Sequence, residues 1–393
     1  MIQNNWKFLL SRYSVYFFLG LEIIILPFLL PDKKFYGELE YYKSYISLIP
    51  LFLMGMHSGY LRCYYVLEKD YSTTLVIGGF LLLVPLSFFG AMYFDYFILF
   101  FSAVTTGLAV FTEKIYQRKN MFLFGIMFKP IFAIINITFL YINFRVFHYT
   151  SDVIFLMSLA NIIAFFFYIY PSIKDWFKLI PLSVIFAETR VLIREGFWLN
   201  IGTAGIVLIM FTDRTYLKNN FSAELSDYSL AYSVAQVLFL MFSSFSYISE
   251  VKLGEKLKSI TMNYFDSSLK YLSRLYLVGL VGICIAFSFF IKFLPLYTGS
   301  WKYFLLIVPS WGIFFAFGSI SILGQYLGIQ KKLSFTILLI SLFNLIVYYY
   351  VVSFGPLLSP LWWLAKTAIL IFVFSIFQVL AIRLSVKRLN EIS

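Results

Sequence analysis

Charge is what this sequence has least of. Only 13% of its 393 residues are Asp, Glu, Lys or Arg, against 61% hydrophobic ones, and the mean hydropathy is +0.86. A water-soluble domain uses about 25% charged residues, because solvent must wet its surface. The shortage excludes an aqueous surface, and lipid has to solvate much of the chain. Cysteine and histidine are almost missing as well. Cys63 and Cys284 sit inside apolar runs, where a thiol packs as a small hydrophobe, and His57 and His148 stand alone without ligand spacing. No disulfide framework, metal centre or other cofactor is expected. A G-x-x-x-x-G-K-[ST] loop is absent, so the chain is not expected to hydrolyse ATP, and HExxH is absent too. No cleavable leader is expected either, since the first apolar run starts at Phe8, is too long, and lacks a small-residue cleavage site.

What is present is a series of apolar blocks of about 17 to 27 residues, the length a helix needs to cross about 30 Å of hydrocarbon. The blocks are continuous rather than alternating, which excludes a barrel and leaves helices as the way to satisfy every backbone group in lipid. The expectation is an all-α, polytopic membrane protein with about 12 transmembrane helices. Six spans are read at 8–30, 40–66, 74–93, 96–112, 121–142 and 153–170. Six more follow at 197–216, 228–248, 275–291, 303–327, 335–352 and 361–384.

Lys and Arg fall unevenly on the two sides of these spans, about 21 against about 7, which puts both termini in the cytoplasm. The net charge of +12 is therefore a topology signal, and no nucleic-acid partner is expected. Loops on the outer side are all short, about 15 residues or fewer, too small for a folded domain. The longest polar interruptions, 171–196 and 249–274, are cytoplasmic. In the first, Trp176, Phe177, Ile180, Val184 and Ile185 among charged residues suit an amphipathic helix in the interface.

A weak internal repeat divides the chain. Phe35-Tyr-Gly-Glu-Leu39 resembles Phe221-Ser-Ala-Glu-Leu225, and Leu51-Phe-Leu-Met54 recurs as Leu238-Phe-Leu-Met241. An even number of spans per half gives parallel repeats with a cavity between them. The expected organisation is a six-helix lobe at 1–171, a cytoplasmic linker at 172–196 and a second six-helix lobe at 197–393, around a central cavity.

Charges at membrane depth are costly and usually face a cavity or a partner. Along the second span, Glu40, Lys43, Ser47, Met54, Ser58 and Arg62 recur at helical spacing on one face, with Pro50 as a possible kink. Lys129 and Asn136 share a face of the fifth span, and Lys366 lies deep in the last. Ser233 and Gln236 add an uncharged stripe to the eighth. Glu22 lies deep in the first span, within reach of Lys43, as a charge-balancing or ion-coupling group. Asp213 and Arg214 read as a local ion pair near the outer surface. The balance of Arg12, Lys43, Arg62, Lys129 and Lys366 against Glu22 is cationic, which suits an anionic cargo.

Phe35-Tyr-Gly-Glu-Leu-Glu-Tyr-Tyr-Lys-Ser-Tyr-Ile-Ser-Leu48 followed by Gly59-Tyr-Leu-Arg62 resembles the first loop and second helix of polysaccharide (O-antigen unit) flippases. These belong to the multidrug/oligosaccharidyl-lipid/polysaccharide (MOP) exporter superfamily. Asp213-Arg214 with Glu224 and Tyr228-Ser-Leu-Ala-Tyr232 is similar to that family's seventh-to-eighth helix passage. Gly328-Ile-Gln-Lys-Lys332, Asn344 and Phe354-Gly-Pro356 are similar to its tenth-to-twelfth helix pattern. The resemblance implies transfer of an undecaprenyl-diphosphate-linked sugar unit across a bacterial inner membrane, with a polysaccharide polymerase and assembly proteins as partners. Arg12, Lys43, Arg62, Lys129 and Lys366 would then bind the diphosphate or acidic sugars, with Ser47, Ser58, Asn136, Ser233 and Gln236 lining the cavity.

Two rival readings carry different expectations. A small-molecule or multidrug antiporter of the same fold would want acidic rather than basic cavity residues. A membrane enzyme of polysaccharide assembly would be expected to show a large outer loop, paired acidic residues early outside or a helix-borne catalytic histidine, and none is read here. A major-facilitator carrier lacks its G-x-x-x-D-R-x-G-R type loop at 67–73.

Overall fold

The computed structural model describes residues 6–30, 32–93, 97–119, 121–147, 152–171, 180–255, 261–318, 320, 324, 327 and 329–392. Among these residues there is no strand. Helices run as α1 (Trp6–Leu29), α2 (Lys33–Phe52), α3 (Met56–Leu67), α4 (Ser72–Tyr93), α5 (Ile98–Arg118), α6 (Phe122–Ile126) and α7 (Phe128–Tyr141). They continue as α8 (Val153–Ile169), α9 (Leu182–Asn220), α10 (Ser222–Glu255), α11 (Met262–Phe290), α12 (Ser300–Ala316), α13 (Gln330–Ser353) and α14 (Pro360–Ile392). Eight of them are long and apolar enough to cross a membrane by length and composition: α4, α5, α7 with its extension to Val146, α9, α10, α11, α13 and α14. The Gly20–Leu29 part of α1, α8 and α12 are shorter apolar helices.

Helix ends follow local chemistry. Asp152 caps α8, its carboxylate accepting from the N–H of Ile154 at 2.9 Å and of Phe155 at 3.4 Å. Glu68 ends α3 in the left-handed region at φ 55°, its N–H donating to the Cys63 carbonyl.

Two elements depart from the spans expected at 40–66 and 197–216. The second span is not one helix. α2 passes through Pro50 and the chain breaks at 53–55, where Met54 and Gly55 take φ of 49° and 84°. The stripe from Glu40 to Arg62 is thus divided between two helices. The seventh is longer than expected, because α9 begins at Leu182 and has 39 residues without a proline. The aromatic part of the expected interfacial helix, Trp176 and Phe177, lies outside the described residues, as does His148.

The chain divides into two compact units, Met1–Leu208 and Ile209–Ser393. In the first, α5 packs on α4 and α8, and α7 packs on α8 and α1. Polar groups tie these apolar helices together: the Thr105 hydroxyl donates to Asn161 at 2.9 Å, and the Tyr116 hydroxyl to the Tyr168 carbonyl at 3.1 Å. The start of α9 docks on α3 backbone to backbone. A Cβ on Gly55 would overlap the Gly196 carbonyl, and one on Gly59 the Leu192 carbonyl. Gly55 and Gly59 form a G-x-x-x-G step, which lets helices approach this closely.

In the second unit α12 is central, packing against α10, α11 and α14, while α13 packs on α14. Its core is aromatic. Tyr216 stacks on Trp363 at 4.1 Å and 16°, and Phe287 on Phe304 at 4.2 Å and 26°.

Candidate functional site

Among the described residues, each unit holds a cluster of ionisable groups deep within its helices. In the first unit the cluster joins α1, α2 and α7. Glu22 and Glu40 are buried, and the Lys43 ammonium lies between them, 2.7 Å from Glu22 and 3.1 Å from Glu40. Asn136, fully buried on α7, donates its Nδ2–H to the same Glu22 oxygen at 3.0 Å. Glu40 and Lys43 are one turn apart, so one helix face presents both to Glu22. Two carboxylates flank the one ammonium. A phosphate approaching Lys43 would therefore have to displace a carboxylate.

Lys129 sits seven residues before Asn136 on the same face of α7, about 10 Å along the axis. That face is exposed at Lys129 and buried at Ala133 and Asn136. Ser58 is half-buried on α3. The side chains of Arg12, Ser47 and Arg62 lie outside the described residues.

In the second unit the cluster joins α9, α13 and α14. Lys366 is half-buried and donates to Asn344 Oδ1, and its ammonium lies 3.3 Å from the centre of the Trp363 ring. Among the described residues no carboxylate is within ion-pair distance of Lys366. Asn344 is fully buried, and its Nδ2 has no hydrogen-bond partner. Asp213 is buried beside this group, its Oδ1 accepting from Trp363 Nε1 and the Thr367 hydroxyl, both at 2.8 Å. Expected to pair locally with Arg214, Asp213 instead engages α14, and the Arg214 guanidinium lies 5.2 Å from the centre of the Tyr232 ring. Ser233 is buried on α10 and Gln236 half-buried.

A small cavity of about 10 Å³ opens beside Asp213, with Tyr228, Ser310, Trp311 and Thr367 in its wall. That is room for about one water. One carboxylate and three hydroxyls around it are hard oxygen groups, suited to a water, a proton or a small monovalent cation rather than a transition metal. Among the described residues no group of three His, Cys, Asp or Glu comes together.

Sequence reasoning reached Lys366 and the Glu22–Lys43 pair but not Asp213, Asn344 and Trp363 as one group. Part of this group was visible, since Trp363, Lys366 and Thr367 fall at i, i+3 and i+4, on one face of α14. The contacts across from α9 and α13 have no sequence periodicity to betray them.

No family model and no curated protein matches the chain. Solved structures match it over nearly its whole length. A multidrug resistance MATE family transporter of the MOP superfamily, in its inward-facing conformation, has 12% identity and a TM-score of 0.60, covering 98% of this chain and 99% of that one. An outward-facing conformation of a multidrug resistance MATE family transporter has 13% identity and a TM-score of 0.57, covering 98% and 94%. A MOP superfamily transporter from Pyrococcus furiosus, whose reverse polarity of binding pocket suggests a different function, has 13% identity and a TM-score of 0.56, covering 97% and 94%. The chain has the fold of these MOP superfamily transporters. At this identity the likeness is one of fold.

Proposed function

We propose that this protein is a transporter that moves undecaprenyl-diphosphate-linked oligosaccharide units across a bacterial inner membrane. About a dozen spans would form two six-helix lobes around a central cavity, with both termini in the cytoplasm. The whole-chain likeness to MOP transporters supports transport rather than enzymatic chemistry. The observation that supports an anionic cargo is Lys366, a cation within α14 whose direct partners among the described residues are a neutral amide and an aromatic ring, with the Asp213 carboxylate near but beyond ion-pair distance. Such an ammonium keeps its positive charge available to a diphosphate, whose desolvation it would offset. The exposed Lys129 offers a second cation. Arg12 and Arg62 would add to them, and Lys43 would act through its carboxylate partners. Glu22 would balance charge or couple transport to an ion, a role the Asp213 niche suits equally. A polysaccharide polymerase and assembly proteins would take up the product.

Deleting the gene tests this reading. Complete, unpolymerised lipid-linked units should accumulate on the cytoplasmic leaflet, whereas incomplete units would point to an enzyme.

The two carboxylates at Lys43 favour a second reading, a small-molecule antiporter; several structural neighbours are named as multidrug resistance transporters. It requires altered drug susceptibility, with surface polysaccharide intact, in the same deletion strain.

A further inference from the structure

The first half of α9 has a clean division of faces. Ile185, Thr189, Leu192, Gly196 and Asn200 are buried against the rest of the first unit. Beside this face runs a stripe with Phe186, Arg190 and Arg194, all exposed, Phe186 by 63%. Phe197, 39% exposed, closes it.

The depth of this stripe can be placed. α9 has 39 residues, a length of about 58 Å against about 30 Å of hydrocarbon, so it extends well past the apolar layer. Glu188 accepts a hydrogen bond from Thr74, in the first turn of α4, so the two helices are level there. Lys69 and Arg118 lie at this same end of the unit, the basic side of the membrane by the distribution of Lys and Arg. Arg190 and Arg194 follow Glu188 by about 3 and 9 Å along the axis, within the headgroup and upper acyl zone.

We propose that Arg190 and Arg194 form a site for a phosphate-bearing lipid headgroup in the cytoplasmic leaflet. Facing water, the stripe would leave Phe186 and Phe197 wet for no gain. Facing lipid, it lets those side chains rest in the interface while the guanidiniums reach phosphates. Two guanidiniums one turn apart present paired N–H donors to phosphate oxygens, the geometry in which arginine binds anions best. Among the described residues Glu195 is the one carboxylate on them, 3.2 Å from Arg194 Nε, in a pair whose arginine side chain is 74% exposed. An exposed pair of that kind is weak and leaves the other donors open. Arg190 has no recorded partner among the described residues. The phosphate has two possible sources, bulk anionic phospholipid or a polyprenyl diphosphate waiting in the leaflet. The site depends on the membrane-spanning fold and holds whatever the cargo is.

The test is native mass spectrometry of the full-length protein in detergent, with dioleoyl phosphatidylglycerol, geranylgeranyl diphosphate and inorganic diphosphate as probes. The Arg190→Gln/Arg194→Gln variant should bind whichever lipid the wild type prefers about tenfold more weakly. The Arg190→Lys/Arg194→Lys variant should fall between the two, and all three proteins should unfold at the same temperature. Preference for phosphatidylglycerol identifies bulk lipid as the occupant, and preference for geranylgeranyl diphosphate identifies the polyprenyl carrier. Equal lipid binding by wild type and the Gln variant, or equally tight binding of inorganic diphosphate alone, overturns the proposal.

Discussion

The Lys43 ammonium lies 2.7 Å from a Glu22 oxygen that also accepts from Asn136, so helices α1, α2 and α7 meet at one carboxylate. A charge pair held this deep is strong only while complete, because removing one partner strands the other in a medium that cannot solvate it. Lys43→Ala should therefore lower stability by about 3 kcal/mol. Adding Glu22→Gln should recover part of the loss. Thermal unfolding of the single and double variants in detergent checks this, and strictly additive losses would mean the pair is not coupled.

The α3–α9 contact leaves no space for a side chain. Gly55→Ala adds a methyl against the Gly196 carbonyl and forces alanine to a φ of 84°. The expected cost is about 3 kcal/mol, read as a lower unfolding temperature and a lower yield of folded protein. Gly20→Ala, whose Cβ would meet nothing within 4 Å, should cost far less and serves as the control.

Thr367 donates to the buried Asp213 at 2.8 Å. Thr367→Val keeps the shape and deletes the donor, so stability should fall by about 2 kcal/mol, measurable in the same assay. Transport should fall further than stability explains if Asp213 handles an ion, which a transport rate measured against an imposed pH or sodium gradient would register.

Outside the spans, Asp70 gives a pH dependence. Burial would raise its carboxyl, but the Ser72 N–H at 3.0 Å and the Arg118 guanidinium outweigh that and hold it below 3.8. A folded value below the unfolded one means the unfolded chain binds the proton more readily. The stabilisation is present above the usual carboxylate range and is lost as pH falls through it. The difference in unfolding temperature between wild type and Asp70→Asn should shrink steadily on acidification.

Much of this was legible in the sequence, for reasons particular to the elements involved. Apolar block length marked the spans, because lipid admits few other structures, and Glu22 with Lys43 stood out because neither can remain alone at depth. The break at 53–55 did not stand out. Pro50 drew attention as the helix breaker, whereas the interruption follows from Gly55 and its packing on Gly196, a tertiary cause. The merging of 182–196 into α9 was obscured because Glu188, Arg190, Arg194 and Glu195 mark a polar interruption, which suits a separate interfacial helix as well as an extension of the seventh span. The place of Asp213 was not legible, because its partners, Trp363 and Thr367, are 150 and 154 residues away, whereas Arg214 is its neighbour in sequence.

The central claim is transfer of a lipid-linked diphosphate sugar, dependent on Lys129 and Lys366, which no carboxylate contacts directly among the described residues. The direct measurement is reconstitution of the purified protein in vesicles loaded with a fluorescent polyprenyl-diphosphate oligosaccharide, reading its exposure to a membrane-impermeant quencher. Wild-type vesicles should expose the inner-leaflet label faster than protein-free vesicles, and the Lys129→Ala/Lys366→Ala variant, correctly folded, should not. Equal rates in all three, or full activity in the variant, would contradict the account.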